Sequence, residues 1–537
     1  MIIGGLDIGT TGCKLTVFDE TGRQLDRAYC DYPVRRMSSA HEVDGNAILE
    51  GVFTVIRKIA ESYPDIAGIG VTSFGETFVV TDAAGTPLYP AMLYTDPRGR
   101  QQLEAFCSRM KPEEAANISG IKPHEMYSLP KLMWLKENRP DIYEQAEYVF
   151  LMEDFVVFHL TGQRKIDYSL ATRTMGFDIR KLCWSNEIFK TAGIDQEKFS
   201  EPVPTGTAAG KLTKEAAERT GLSENTQIVC VSHDQIAAAV GAGVFTSDTA
   251  VDGAGTVECI TPIYDEIPDM EVMTGGNYAV VPYVIPGKYV CYAFSYTGGA
   301  LIQWCTETLA KKEKELAKEK GISVNQYLEE LYREEYTVRE KAGVHAETTD
   351  TEKNADTERT ADKTEAAAGE YVDTHCPPSG LLVLPHFAGA ATPYMDTGSK
   401  GVIVGLTTAS TTADIYRGCM EGVTYEMRLN LEQLSGSGIH FQRLCATGGG
   451  ARSEMWMQMK ADVLDMEITA LSTVDAGTVG SAMLTGIAVG CFADLKDAAD
   501  KMVHELRTYY PRPKIHEKYT KIYEQYRKLY GAVRDLM

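Results

Sequence analysis

The chain has 537 residues, 44% of them hydrophobic, and a formal net charge of -22. That length supports two or three domains with well-buried cores, and the acidic balance argues against a nucleic-acid-binding surface. No apolar run approaches the roughly 18–20 residues needed to cross a bilayer, so neither nucleic acid nor membrane is an expected partner.

The N-terminus reaches Asp7 without a basic segment, which argues against a signal peptide. Residues 1–18 read as a strand–turn–strand hairpin around Leu6-Asp7-Ile8-Gly9-Thr10-Thr11-Gly12, with Ile2, Ile3, Leu15 and Val17 as its β-prone flanks. Residues 47–62 read as an amphipathic helix, Ala67–Thr72 and Thr77–Asp82 as strands, and 124–162 as helical. From 227 the same grammar restarts. A strand Gln227–Ser232 leads into a small-residue helix Gln235–Gly241, and a second hairpin begins at Thr249 with Val251-Asp252-Gly253-Ala254-Gly255-Thr256-Val257. The boundary between two lobes falls at about 243–248. Residues 324–340 read as an amphipathic helix. Residues 341–370 hold four Lys/Arg against eight Asp/Glu and no aromatic residue, a composition that predicts a solvated or disordered insertion. Helices are expected at 411–435, 452–464, 477–489 and 514–535.

The twelve cysteines form no C-x-x-C pair and no Cys/His cluster at zinc spacing. They read as buried thiols of a cytoplasmic protein.

The two hairpins carry the chemistry. A glycine-bearing turn can aim several N–H groups into one concavity that suits a phosphate, Thr adds a hydroxyl donor, and a carboxylate can hold Mg²⁺. Either segment alone could be an ordinary hairpin turn. The P-loop pattern, the dinucleotide G-x-G-x-x-G and the protein-kinase H-R-D and D-F-G elements are all absent from the sequence. A third glycine cluster, Thr447-Gly448-Gly449-Gly450-Ala451-Arg452-Ser453, stands between a short apolar stretch and a helix, where backbone can approach a planar ring closely. Asp234, where a strand ends and a helix begins, could take a proton from a substrate hydroxyl. It could equally cap the helix.

At this point the residues resemble the FGGY carbohydrate kinases over nearly the whole chain. Met126 to Asn138 (MYSLPKLMWLKEN) fits that family's first signature. Gly401 to Leu406, with Asp414-Ile415, is similar to the second, which then departs at Gly418-Cys419. The resemblance implies an α/β fold of two actin-like ATPase (ribonuclease H-like) lobes with a cleft between them. Residues 1–245 would bind sugar and supply the base, and 246–537 would bind nucleotide.

The same resemblance implies ATP-dependent phosphorylation of a hydroxyl on a small sugar or polyol, with Asp234 as general base. Asp7 would be the Mg²⁺-linked acid. Thr10, Thr11, Gly255 and Thr256 would contact phosphate, and Gly9 and Lys14 would belong to the same nucleotide-binding set. Gly298, Gly299, Gly449, Gly450, Ala451 and Ser453 would enclose ATP. The sugar would meet Phe74, Gly75, Glu76, Asp96, His233 and Gln235. Ser73-Phe74-Gly75-Glu76-Thr77 lies where xylulokinases carry a Met-His-Gly run and glycerol kinases Arg-Glu-Thr. That sets Glu76 in the column of that sugar-contacting His or Glu, where its carboxylate would accept from a pair of hydroxyls. The sugar itself is not legible. Tyr94 replaces the tryptophan of the family's W-x-D-x-R segment. A homodimer is compatible with this reading. The rival reading is a nucleotide-binding regulator or chaperone-like protein on the same fold, without sugar transfer.

Overall fold

The computed structural model describes residues 1–341, 377–473 and 475–537. From residue 342 on, the charged insertion expected at 341–370 lies outside the described residues.

Two large sheets repeat one plan. In the first, Ile2–Ile8 and Gly12–Asp19 form the expected antiparallel hairpin, extended on one side by Gln24–Asp31. On the other side Gly68–Ser73 and then Gln227–His233 add parallel to Ile2–Ile8, and Thr207–Lys211 closes the edge antiparallel. In the second, the hairpin Thr249–Ala254 and Glu258–Tyr264 is flanked antiparallel by Ala293–Ser295. Arg443–Thr447 and Glu467–Leu471 add parallel on its other side, and Glu505–Tyr509 closes the edge antiparallel. The restart read from the sequence at 227–249 is therefore a repeat of topology.

The Gly68–Ser73 strand is buried along its whole length, as a parallel strand covered on both faces must be. On one side the helix Met152–Thr161 covers it, while the helix Gly45–Ala60, capped by Asp44, buries Ile48, Val52, Val55 and Ile59 over the neighbouring strands Gly12–Asp19 and Gln24–Asp31. On the other lies Ala476–Ala488, a helix from the far end of the chain. A Cβ on Gly5 would stand 2.1 Å from the Thr478 carbonyl oxygen, and one on Gly70 2.3 Å from Thr485 Oγ1. The same helix crosses Asp234–Gly241 at glycine on both partners. A Cβ on Gly480 would lie 1.9 Å from the Ala237 oxygen, and one on Gly241 2.0 Å from the Ala476 oxygen. Each of these two helices follows the last parallel strand of its own sheet, so their crossing joins the repeats back to back.

The expected helices at the C-terminal end are present as Thr412–Gly436, Glu454–Leu464, Ala476–Ala488 and Pro513–Val533. The helical reading of 124–162 needs correction. Helices Ser128–Asn138, Pro140–Gln145 and Met152–Thr161 are interrupted by a strand, Tyr148–Leu151, paired antiparallel with Phe78–Thr81. Tyr-Val-Phe-Leu favours a strand once a sheet edge is available, and that edge lies some seventy residues upstream.

Candidate active site

The parallel registers set Asp7 beside Thr72, and Thr72 beside Ser232. Three strands thus end together, and Asp234 directly follows the last residue of one of them, His233, where ligands commonly meet an open α/β sheet. Asp234 is the first residue of the helix Asp234–Gly241; the capping position belongs to His233, and no side chain caps the helix. The cap role considered for Asp234 is therefore absent. Its Oδ1 is buried and receives no hydrogen bond, with His233 Nε2 3.4 Å away. Recession into the protein raises its pKa, opposed by hydrogen bonds from Gln235 and by the charges of Lys14 and Arg173. Burial pushes His233 down to about 3, so its imidazole is neutral at working pH. The His233 backbone N–H donates to Ser169 Oγ at 2.8 Å, and Ser169 donates to Asp167 Oδ1, also at 2.8 Å.

Asp7 faces the cleft with its side chain 14% exposed, and Lys14 Nζ bridges it to Asp475, 2.9 Å from each. Burial raises the Asp7 carboxyl to about 6 against the pull of Lys14, with Asp234 and Asp475 adding to the rise. The start of the helix Ala476–Ala488 lies above it, where a Cβ on Gly477 would be 3.4 Å from Asp7 Oδ2. Among the described residues no group of three or more His, Cys, Asp or Glu is placed to hold a metal. One carboxylate on a hard-ion face fits Mg²⁺, which keeps several waters and binds through substrate phosphates. In the first hairpin turn, Gly9 N–H donates to the Gly12 carbonyl at 2.9 Å. Thr11 lies exposed in the same turn.

Glu76 sits at φ 63°, a conformation costly for a side-chain-bearing residue and held only where its surroundings over-determine it. Here Ser128, from the signature segment, donates to the Glu76 carbonyl at 2.7 Å, and Arg173 Nε donates to Glu76 Oε1 at 2.6 Å, with Nη2 donating to the same oxygen. Arg173 thus engages one of the two Glu76 oxygens, Oε1, so this carboxylate would meet a ligand as part of an ion pair rather than alone. Gly75 lets Arg173 and His233 come together, since its Cβ would lie 2.9 Å from Arg173 Cγ and 3.1 Å from His233 Cδ2. Phe74 is packed into the core of the first lobe. Asp96 is committed elsewhere: it accepts from His41 N–H at 2.8 Å and from Arg98 N–H, Nε and Nη2. Arg98 in turn pairs with Glu42 and lies 4.9 Å from the Trp134 ring.

The second hairpin and the glycine cluster close on each other. Gly299 and Ala300 N–H donate to the Gly255 and Thr256 carbonyls at 2.8 and 3.0 Å. Gly448, at φ 90°, lies so close that its Cβ would meet the Ala254 oxygen at 2.6 Å. Beside them opens a cavity of about 920 Å³, walled by Gly255, Thr256, Gly299, Gly449, Gly450 and Ser453 among others, large enough for a nucleoside. Gly298 packs behind the hairpin, against Val257 and Glu258, and Ala451 turns into the core. Ser453 caps the helix Glu454–Leu464 through Trp456 N–H and donates to Glu329 at 2.7 Å.

Sequence reading missed Arg173, Ser169 and the cavity's outer wall, formed by Asn325, Gln326, Glu329 and Arg333 of the helix Val324–Lys341. The amphipathic pattern at 324–340 gave that helix but not what its polar face looks onto. Arg173 is 97 residues from Glu76, and no local spacing announces such a pair.

Residues 2–241 match the FGGY family of carbohydrate kinases, N-terminal domain, and residues 269–489 match its C-terminal domain. A xylulose kinase of Lactococcus lactis subsp. lactis is 26% identical over 96% of this chain and 93% of its own. An autoinducer-2 kinase of Escherichia coli O9:H4 is 24% identical over 96% and 91%. Among solved structures, a ligand-bound xylulose kinase from Lactobacillus acidophilus superimposes with a TM-score of 0.82 at 20% identity, covering 99% of this chain and 98% of that one. Plasmodium falciparum glycerol kinase with ADP gives 0.77 at 19% identity, covering 98% and 97%. The fold is the two-lobed actin-like ATPase fold, the reaction is ATP-dependent phosphorylation of a small sugar or polyol, and the chain belongs to the FGGY family of carbohydrate kinases.

Proposed function

We propose that Asp234 is the general base of this kinase and that the space bounded by Asp234, His233, Gly75 and Arg173 receives the sugar. The observation that carries the reading is the Asp234 carboxylate itself. It opens a helix at the meeting point of three strand ends, caps nothing, and keeps one buried oxygen without a donor. An alcohol oxygen would give its proton to that carboxylate as it forms a bond to the γ-phosphorus of ATP, and the bond from that phosphorus to the β–γ bridging oxygen would break, releasing ADP. Adenosine would lie in the cavity beside Gly449-Gly450, with the phosphates reaching toward the two hairpin turns. When bound with the nucleotide, Mg²⁺ supplies neutralisation of the phosphate charge, and Asp7 would hold it, with Lys14 and Asp475 fixing the Asp7 carboxylate. Closure of the lobes would exclude water and limit wasteful hydrolysis of ATP. ATP as phosphoryl donor and the free cysteines of the described residues support a cytoplasmic enzyme, and among those residues no helix is long and apolar enough to cross a membrane.

The sugar is reached by a coupled ADP-release assay over ketopentoses, polyols, gluconate and autoinducer-2, compounds of the kinds named for relatives and structural neighbours, and over deoxyhexoses. Turnover of one compound well above the rest supports the reading. ADP release independent of every acceptor would contradict it.

A further inference from the structure

We propose that Arg173 contacts the sugar, donating from Nη1 to one of its oxygens, and that it thereby sets which sugars are accepted. The inference rests on the reading that places the reacting hydroxyl at Asp234.

Arg173 is buried, and two of its nitrogens are spent on a single oxygen of Glu76. The third, Nη1, is buried without a hydrogen-bond partner. Leaving a guanidinium N–H unmet in a protein interior is costly, and native structures rarely do so without a use for it. The group is also held in place. Its carbon lies 5.2 Å from the Tyr127 ring centre and 5.5 Å from that of Tyr292, and cation–π attraction of this kind strengthens where water is excluded.

Three further buried polar atoms without partners stand on the neighbours of this guanidinium: His233 Nδ1, Tyr292 Oη and Asp234 Oδ1. The His233 and Tyr292 ring centres are 5.2 Å apart. Gly75 makes the gathering possible, because any side chain there would enter the space of Arg173 Cγ and His233 Cδ2. Arg173 and Tyr292 thus carry unmet donors beside His233, and Asp234, the next residue, carries an unmet acceptor whose oxygen lies 3.4 Å from His233 Nε2. A small polyhydroxyl ligand supplies what they lack, an oxygen for the donors and a hydroxyl proton for the acceptor. The charges agree with an uncharged ligand. Glu76 balances Arg173 and His233 is neutral, so a carboxylate-bearing sugar would bring an uncompensated charge next to Asp234.

The test crosses a mutation with deletion of substrate hydroxyls. Starting from the best acceptor of the panel, kcat/KM is measured for that sugar and each of its monodeoxy analogues on the wild type, R173M and R173K. The proposal expects one analogue to cost the wild type at least roughly tenfold, the scale of one charge-assisted hydrogen bond. On R173M the same deletion should cost nothing further, while KM for ATP stays unchanged. R173K, which keeps the charge, carries the same comparison should R173M fold poorly. Equal penalties for every analogue in wild type and variants would overturn the proposal. So would E76Q erasing the same penalty as R173M, since Arg173 would then act only by holding Glu76. An active wild type with either of these outcomes removes the role of Arg173 alone, whereas ADP release that no sugar accelerates removes the kinase assignment beneath it.

Discussion

Lys460 Nζ lies 2.5 Å from Asp252 Oδ2 and also pairs with Glu258, and all three side chains are no more than 2% exposed. The first hairpin holds the contrasting arrangement, with Lys14 Nζ 2.9 Å from an Asp7 that opens onto the cleft. The two acids look alike in sequence and differ by one position in register. Asp7 is one residue from the last pair of its hairpin, Ile8 with Cys13, and Asp252 is two from Ala254 with Glu258. Side chains alternate along a strand, so one step sends the second acid to the opposite face. There it binds Lys460 in the interior, tying the helix after the glycine cluster to the hairpin that borders the nucleotide cavity.

Replacing Lys460 by Met should destabilise the protein by about 3–5 kcal/mol, because it strands buried carboxylates. Burial and the neighbouring Asp252 already hold Glu258 well above the usual carboxylate range. In the variant the folded state should therefore bind more protons than the unfolded chain, and its stability should fall as pH rises. Urea unfolding of K460M and wild type at pH 5 and pH 8 checks this, with a larger deficit expected at pH 8. A deficit independent of pH would speak against the charge account.

Ser169 should prove a positioning residue for Asp234. It accepts the His233 N–H and is itself held by Asp167, which caps the short helix Tyr168–Thr172. S169A leaves that N–H unmet and frees the segment carrying the base. A displacement of the base on the order of 1 Å can cost about 100-fold in rate, so kcat should drop by roughly 10–100-fold with KM for ATP unchanged. Steady-state kinetics with ATP and sugar varied separately would show it, and an S169A enzyme with wild-type kcat would remove Ser169 from the account.

The pH dependence follows from two opposite shifts. Asp234 must be ionised to accept a proton, and its pKa is raised above 3.8, so kcat/KM should fall on the acid side along a limb above that value. His233, lowered from 6.5 to about 3, should add no limb near 6.5. Its effect is on stability: the unfolded chain takes up this proton first, so the contribution of a neutral His233 is intact above pH 6.5 and is lost as pH falls from there toward 3. A pH–rate profile of wild type beside H233N, together with acid unfolding of both, separates the two effects.

Much of this architecture is readable from the chain because it is local. Hairpin turns, the glycine cluster, the signature at 126–138 and the strand-to-helix step at Asp234 each occupy a few consecutive residues whose chemistry is visible in place. What escapes is pairing at a distance. The commitment of Asp96 to Arg98 and His41, the capture of Glu76 by Arg173 and the sealing of Asp252 by Lys460 depend on which elements the fold brings together. The strand at Tyr148–Leu151 was hidden for the same reason, since it exists only by pairing with Phe78–Thr81. The polar face of Val324–Lys341 gave no sign that it would look onto a nucleotide-sized cavity.

The most direct test of the account is the D234N variant, which keeps the shape of Asp234 and removes its basicity. A positioned general base contributes typically ~10²–10⁴-fold. Turnover of the best sugar should fall by that order while ATP, followed by titration calorimetry, binds as it does to the wild type. Turnover near the wild-type value, with ATP binding intact, would show that Asp234 does not take the proton and would contradict the mechanism.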